Sequence, residues 1–342
     1  MLKTARFFSD EQLSTARQQT DPPADAVVAE LVAQSGKEGL RAFTKFLADF
    51  ESFTIDEQPV FVQQFFRENA ALPTWANRQL MAEGAAFFRE NRATIALILG
   101  CYSLPYCYAG ADGAQVLWLT ERIRKDTFKR LEETGLFVFG VMQNSDWENG
   151  KNAVRILKVR LMHAAARYFT HHSGLWNDAW GRAINQEDMA GTNLAFSYIV
   201  VDGLRKLGVN STDAAEEAYL HYWCVVGYVL GVEPCFLPDN LREAYRLGRA
   251  IADRSFRPSE AGQGLAAALR QVLEKNAPSP AFQNVATGQM RFLLGDQIAD
   301  LLALPKVSIE KRLIKATTVL PFFQKLISQV EPPSAALRKY WR

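Results

Sequence analysis

Histidine and cysteine are both scarce in this chain, with four of each among 342 residues. The cysteines show no Cys-x-x-Cys spacing, which argues against a zinc site or a thioredoxin-like redox centre. No histidine is preceded by the Glu-x-x-His pattern of a di-iron bundle. Because the cysteines sit among apolar residues, we expect buried free thiols in a cytoplasmic protein. They are Cys101, Cys107, Cys224 and Cys235.

An excess of charge of one sign is also missing. The chain has 39 basic and 37 acidic residues and a net charge of +2. So small a net charge gives no overall field to attract nucleic acid, and we expect no nucleic-acid partner. The phosphate-binding loop, the glycine-rich dinucleotide fingerprint, the nucleophile elbow and the His-Glu-x-x-His zinc helix are absent as well.

Long hydrophobic runs are interrupted throughout. The most apolar window, residues 218–237, contains His221 and Glu233 and is broken by glycine and proline. A membrane-spanning helix needs about 20 mostly apolar residues, so this window predicts a buried core helix. The N-terminus reaches acidic residues at once and lacks the apolar core of a secretory signal. We therefore expect no transmembrane segment and a cytoplasmic location.

Helical periodicity is abundant, whereas the alternation typical of strands is missing. Prolines fall between most of the periodic segments, and Pro321 is expected to kink the last one. The sequence predicts a single mainly helical, all-α domain over residues 75–342, with an N-terminal helical extension over residues 1–74. The predicted helices cover residues 26–34, 39–50, 56–68, 75–91, 127–142, 152–169, 188–207, 213–230, 240–255, 261–275, 282–302 and 308–329.

Three of the four histidines have ordinary structural explanations. His171 and His172 follow the long helix 152–169 and precede Ser173-Gly174. A helix C-terminus favours a cation and exposure, so both are expected at the surface. His221 lies in an apolar helix among aromatic residues, which favours a buried histidine whose polar atoms are satisfied.

His163 lies in a different setting, the segment Val-Arg-Leu-Met-His-Ala-Ala-Ala-Arg at residues 159–167. Arg160 and Arg167 share a helix face with it, and the three alanines would let a flat, bulky group approach closely. A haem has an apolar plane and two anionic propionates, and its iron is commonly held by one histidine. Alanine is also a good helix former and arginines often cover a solvated face, so spacing alone equally fits a structural histidine.

This segment resembles the axial-histidine helix of the latex clearing protein and rubber oxygenase catalytic-domain family. That family includes the oxygenase of mycophenolic acid biosynthesis. Further segments agree in order, and together they cover roughly residues 90–240. They are Arg130-Leu-Glu-Glu-Thr-Gly135 followed by Phe137-Val138, residues 184–192 with Phe196-Ser197, and the pattern Tyr219…Trp223…Gly227…Leu230-Gly231.

The resemblance implies an all-α domain that encloses haem b, with His163 as the proximal iron ligand. Arg130 and Thr134 would be the catalytic residues on the opposite, distal side. Arg160 and Arg167 are candidates for structural or propionate-binding roles. The implied activity is that of a haem-dependent oxygenase, an oxidoreductase. It would use dioxygen to cleave a carbon–carbon double bond in a small apolar substrate, such as an isoprenoid or another unsaturated compound.

Two departures from the family pattern argue against cleavage of rubber or long polyprenyl chains. Rubber-cleaving members have a lysine just before the distal threonine, where this chain has Glu133, and they carry an export signal. Glu133 is expected to pair with Lys129 or Arg130, or to act in the pocket as a base. Three other functions remain open at this point: a haem peroxidase or peroxygenase, a non-catalytic haem sensor or carrier, and a helical binding protein without the cofactor. The sequence leaves the oligomeric state open.

Overall fold

The computed structural model describes residues 5–49, 52, 54–120, 127–276 and 283–307, and no strand occurs in that part of the chain. The predicted all-α fold is therefore confirmed, while the predicted helix at residues 308–329 and its Pro321 lie outside the described residues. The α-helices are α1 Asp10–Arg17, α2 Pro22–Ala48, α3 Val60–Asn69, α4 Arg78–Ile98, α5 Leu104–Ala109, α6 Ala114–Leu119, α7 Thr127–Val141, α8 Lys151–His171, α9 Gln186–Phe196, α10 Tyr198–Leu207, α11 Asp213–Val229, α12 Leu241–Ser255, α13 Glu260–Lys275, α14 Gln283–Leu294 and α15 Asp296–Leu301.

Two long helix pairs organise the core. Helix α2 packs along α8, and α4 packs along α11. The second pair is close because Gly84 of α4 has no side chain, and a Cβ there would lie 2.5 Å from the carbonyl oxygen of Ala218. One continuous hydrophobic core runs from Phe8 to Leu304, so the N-terminal helices share it with the rest of the molecule. The predicted domain boundary at residue 74 stays a prediction.

Several helix boundaries differ from those predicted. The segment 188–207 is two helices, α9 and α10, which meet at Ser197 with φ −110° and ψ −84°. The segment 282–302 is likewise divided, at Gly295 with φ 79°. The predicted gap between residues 34 and 39 contains Gly36, whose φ of 64° and ψ of −171° interrupt α2. Helix α1 begins after the N-cap Ser9 and was not predicted.

The apolar segments lie within the fold. Among the helices that the structure describes, each falls short of the length or apolar character that a membrane span requires. Residues Leu99–Ser103 form a π-helical turn between α4 and α5, a feature that is frequent near functional sites. Cys101 and Cys224 are buried as expected and Cys107 is partly buried, but Cys235 is exposed, so the prediction of burial was wrong for that residue.

Candidate functional site

His163 lies near the middle of α8, which places it inside the molecule. The residue is half-buried, so part of it faces accessible space, but its Nδ1 atom is buried and has no hydrogen-bond partner among the described residues. Burial, together with the positive charges of Arg167 and Arg130, lowers the pKa of the imidazole to about 4. The ring is therefore neutral at neutral pH, as a metal-binding imidazole must be. A buried nitrogen without a protein partner also fits a site that a ligand completes.

Arg160, three residues before His163, is fully engaged with the protein. Its Nε and Nη2 atoms donate to the two carboxylate oxygens of Asp21 at 2.6 and 2.8 Å. Its Nη1 atom donates to the side chain of Asn69 at 3.2 Å and to the carbonyl oxygen of Val229 at 3.3 Å. Each of the three nitrogens thus has a partner, and the side chain is only 10% exposed.

Gly231 closes the space above this ion pair. Its φ of +93° is in the region that favours glycine. A Cβ at this position would also come within 2.7 Å of both Arg160 Nε and Asp21 Oδ2. The pair therefore fills its cavity, and the structure leaves it no room for a further ligand group beside Gly231.

Arg167, four residues after His163, is bonded differently. Its Nε atom donates to Asp25 Oδ1 at 2.7 Å, and its Nη1 atom donates to the carbonyl oxygen of Ile184 at 3.3 Å. Its Nη2 atom is buried and lacks a partner within the described chain, and the same is true of the Thr170 hydroxyl. Positions 163, 167 and 170 recur at helical spacing, so three unpartnered polar atoms lie along one face of α8.

The acids that pair with these arginines come from the N-terminal helical extension. Asp21 precedes α2 and Asp25 lies in its first turn, where the helix dipole favours negative charge. Asp21 is 139 residues from Arg160 in sequence, and Asp25 is 142 residues from Arg167. Sequence reasoning missed both acids. The only signal for them is a pair of carboxylates one helical turn apart.

Helix α7 carries the residues predicted for the distal side. Arg130 Nη1 donates to Glu133 Oε2 at 2.6 Å, and the two side chains are 35% and 21% exposed. Thr134 Oγ1 donates to the backbone carbonyl oxygen of Arg130 at 2.8 Å. Since the charge of Arg130 helps to lower the pKa of His163, the two residues lie within electrostatic range. Of the arrangements expected for Glu133, the structure contains the pair with Arg130.

The two later segments of the resemblance meet beside Arg160. Gln186 Nε2 donates to the carbonyl oxygens of Thr20 and Gly231, each at 2.9 Å. Gln186 Oε1 accepts the backbone N–H of Glu233 at 2.9 Å. These bonds join the start of α9, the end of α1 and the turn after α11. The motif residues at 184–192 and 219–231 thus hold the surroundings of α8 in place.

The remaining histidines agree with their predictions except in the burial of His221. His171 and His172 are exposed at the end of α8. His221 is half-buried, and its Nε2 accepts the backbone N–H of Asn77 at 3.0 Å. Within the described part of the chain, no three His, Cys, Asp or Glu side chains come together in a way that would hold a metal ion.

A cleft of about 400 Å³ opens next to Arg167. It lies between α2 and α8 and is bounded at one end by the segment that precedes α9. Its lining combines cationic, acidic and aromatic side chains, including Asp25, Ala164, Arg167, Tyr168, Trp176 and Arg182. The described lining residues do not include His163, so the cleft lies beside the histidine and not over it.

Comparison with known proteins identifies the family and the fold. The chain is 22% identical over 332 residues to a rubber oxygenase from Streptomyces sp. (strain K30), and the alignment covers 94% of this chain and 81% of that protein. A solved structure of latex clearing protein in its closed state superposes with a TM-score of 0.74 at 20% identity, covering 95% and 88% of the two chains. The model of the family described as ER-bound oxygenase mpaB/B'/rubber oxygenase, catalytic domain, matches residues 64–323. The chain therefore belongs to this family of oxygenases.

Proposed function

We propose that this protein is a haem b-dependent oxygenase in which His163 holds the iron. The observation that carries the proposal is the state of that imidazole, which is neutral, half-buried and left with a buried Nδ1 that no described protein group satisfies. Its sequence segment resembles the axial-histidine helix of the family to which the chain belongs, and it lies within the matched residues 64–323. A haem needs only one ligand from the protein, which agrees with the small number of histidines.

The protein's own residues would set the polarity around the cofactor. Haem b, when bound, supplies the activation of dioxygen for oxidative cleavage of a carbon–carbon double bond. Arg130 provides a cation that stabilises negative charge developing on the distal side, and a preorganised cation is most effective where water is excluded. Glu133 holds that guanidinium through the 2.6 Å bond. The Thr134 hydroxyl, which donates to its own helix, is left with lone pairs that can accept a hydrogen bond from water or substrate.

The proposed substrate is a small, unsaturated and apolar molecule. The name of the Streptomyces relative indicates that it acts on rubber, a polymer rich in carbon–carbon double bonds. In this chain Phe137 and Phe139 are buried residues of α7, the same helix that carries Arg130. Glu133 replaces the lysine of rubber-cleaving relatives, and it makes the distal side less positive. For this reason we expect a compact isoprenoid or similar compound in place of a long polymer.

The test is to load the purified full-length protein with hemin and record its optical spectrum. We expect a Soret band that His163→Ala abolishes or shifts to the position of unligated hemin, while the exposed His172→Ala leaves it unchanged. The reduced protein is then mixed with oxygen and a compact isoprenoid such as squalene, and carbonyl products are measured. A wild-type spectrum in His163→Ala would overturn the assignment of the ligand. Binding of haem without oxygen uptake or carbonyl products would favour a sensor or carrier.

A further inference from the structure

We propose that Arg167 and Thr170 form a carboxylate-binding site on the His163 face of α8, and that this site takes a propionate of the haem. Arg160 has no part in it. The inference rests on the proposed function for the identity of the ligand. Its structural basis is the difference between two arginines that the sequence alone did not distinguish.

Arg160 and Arg167 differ in their hydrogen bonding. Arg160 uses Nε, Nη1 and Nη2 on protein acceptors, and Gly231 closes its cavity. Arg167 uses Nε on Asp25 and Nη1 on the carbonyl oxygen of Ile184, which leaves Nη2 without a described partner. A buried charged donor without a partner is costly, so it calls for an acceptor that arrives with a ligand.

The unpartnered Nη2 of Arg167 lies on the same helix face as His163. Arg167 follows His163 by one helical turn, and Thr170 follows Arg167 by three residues, so all three share a face of α8. The unpartnered hydroxyl of Thr170 is a second donor for the same anion. A haem bound through its iron at His163 would extend along this face. A guanidinium together with a hydroxyl is well suited to a carboxylate.

The guanidinium of Arg167 is held firmly by the protein. Two of its nitrogens are fixed by Asp25 and by the carbonyl of Ile184, and its side chain is only 7% exposed. Ile184 has a φ of 50°, a strained value for a β-branched residue that recurs at ligand-binding positions. The strained peptide thus supplies the carbonyl that orients Nη1. A guanidinium fixed at two nitrogens presents the third with little further loss of entropy.

The charges around Arg167 must also balance when an anion binds. Asp25 already neutralises Arg167, so an additional anion needs either solvent or another cation nearby. The cleft of about 400 Å³ beside Arg167 supplies solvent because it is open, and its lining adds Arg182 as a cation and Asp178 as a further acid. A carboxylate that enters from this cleft to bond the buried Nη2 and the Thr170 hydroxyl would keep part of its hydration, which avoids most of the cost of burying a charge.

The experiment compares hemin with hemin dimethyl ester, in which both propionates are methylated. Affinities of the full-length apoprotein are measured by Soret titration in the same solvent mixture. We expect Arg167→Gln to weaken hemin binding by about tenfold or more, the range for a lost hydrogen bond to a charged group, and to leave the affinity for the ester nearly unchanged. Thr170→Val should give a smaller loss, about threefold, again for hemin alone. Arg249→Gln, which removes an exposed arginine paired with Asp253, is the matched control and should change neither affinity.

The outcomes separate this inference from the proposed function. If the wild type binds hemin and the ester equally, or if Arg167→Gln weakens both alike in a folded protein, the carboxylate site is overturned while haem binding stands. If the wild type binds neither, the proposed function itself fails. If Arg167→Gln does not fold, Arg167→Lys is tested instead, because it keeps the positive charge but lacks the planar guanidinium. A loss of affinity for hemin but not for the ester then supports the site. An unchanged preference for hemin in Arg167→Lys would then overturn it.

Discussion

Helices α8 and α7 both carry charged residues of the candidate site, but they hold them in different ways. On α8, Arg160 and Arg167 are at least nine-tenths buried and pair with acids about 140 residues away in sequence. On α7, Arg130 and Glu133 are partly exposed and pair with each other within one helical turn. The first arrangement ties α8 to the N-terminal helices, whereas the second pairs two charges within α7 itself.

This difference predicts that the α8 ion pairs act on stability and that the α7 pair acts on reactivity. Breaking a buried ion pair leaves a charge without compensation and is strongly destabilising. An exposed pair contributes little to stability because water and salt screen it. Changes on α8 should therefore affect whether the site exists, while changes on α7 should affect how it reacts. Three measurements test this contrast, in order of decreasing expected effect.

The largest effect is expected for Asp21→Asn. The change removes the carboxylate that binds two nitrogens of Arg160 and leaves a buried guanidinium without its counter-ion. We expect a loss of about 3–5 kcal/mol in the free energy of unfolding, measured by urea denaturation of the apoprotein. Asp253→Asn, which breaks an exposed pair with Arg249, is the control and should change stability by less than about 0.5 kcal/mol. Equal, small losses in both variants would contradict the comparison.

An intermediate effect is expected from His163 when the pH is lowered. Its pKa in the folded protein is about 4, below the ordinary value of 6.5, because burial disfavours the charged ring. As the pH falls from about 6.5 towards 4, the unfolded chain takes up the proton first, so the folded apoprotein loses stability. The variant His163→Gln has no imidazole to protonate and should not show this loss of stability.

The measurement for His163 is the difference in unfolding free energy between the wild type and His163→Gln, followed from pH 7 to pH 4. Other groups that titrate in this range cancel in the difference. We expect the variant to gain relative to the wild type as the pH falls. A difference that stays constant with pH would show that the imidazole is not shielded from water.

The smallest effect on stability is expected for Glu133→Gln on α7. Its free energy of unfolding should change by less than about 1 kcal/mol, because the pair with Arg130 is partly exposed. The reactivity should change nonetheless, since Arg130, the cation proposed for the distal side, loses the carboxylate that pairs with it. We expect the dithionite-reduced, haem-loaded variant to return more slowly to its oxidised spectrum in air. A large loss of stability without a change in this rate would reverse the roles assigned to α7 and α8.

Helix content could be read from the sequence because it depends on local periodicity and capping, but two helix breaks show the limits. The division at Gly295 had a local signal, since glycine readily adopts a positive φ. The division at Ser197 had almost no local signal in the sequence. A serine is tolerated within helices, and here its hydroxyl donates to the carbonyl oxygen of Asn193 while the chain turns towards α10. Only the packing of the surrounding helices decides between a continuous and a broken helix there.

The candidate site was predictable in part for the same reason. His163, Arg160 and Arg167 are neighbours on one helix, so their common face follows from spacing. Their partners Asp21 and Asp25 lie far away in sequence, and no local pattern connects them to α8. Without these partners the two arginines look equivalent. The roles proposed for them, and those of Arg130 and Thr134, remain predictions.

The long sequence separation within the ion pairs of α8 has a consequence for how the protein is made. Ribosomes add about 5 to 20 residues per second. Because 139 residues separate Asp21 from Arg160, the acid waits about 7 to 28 s for its partner during synthesis. The helix that carries His163 therefore emerges into a chain whose N-terminal half is already present. The two ion pairs close only at that stage, so they join α2 to α8 after the N-terminal half of the chain has been made.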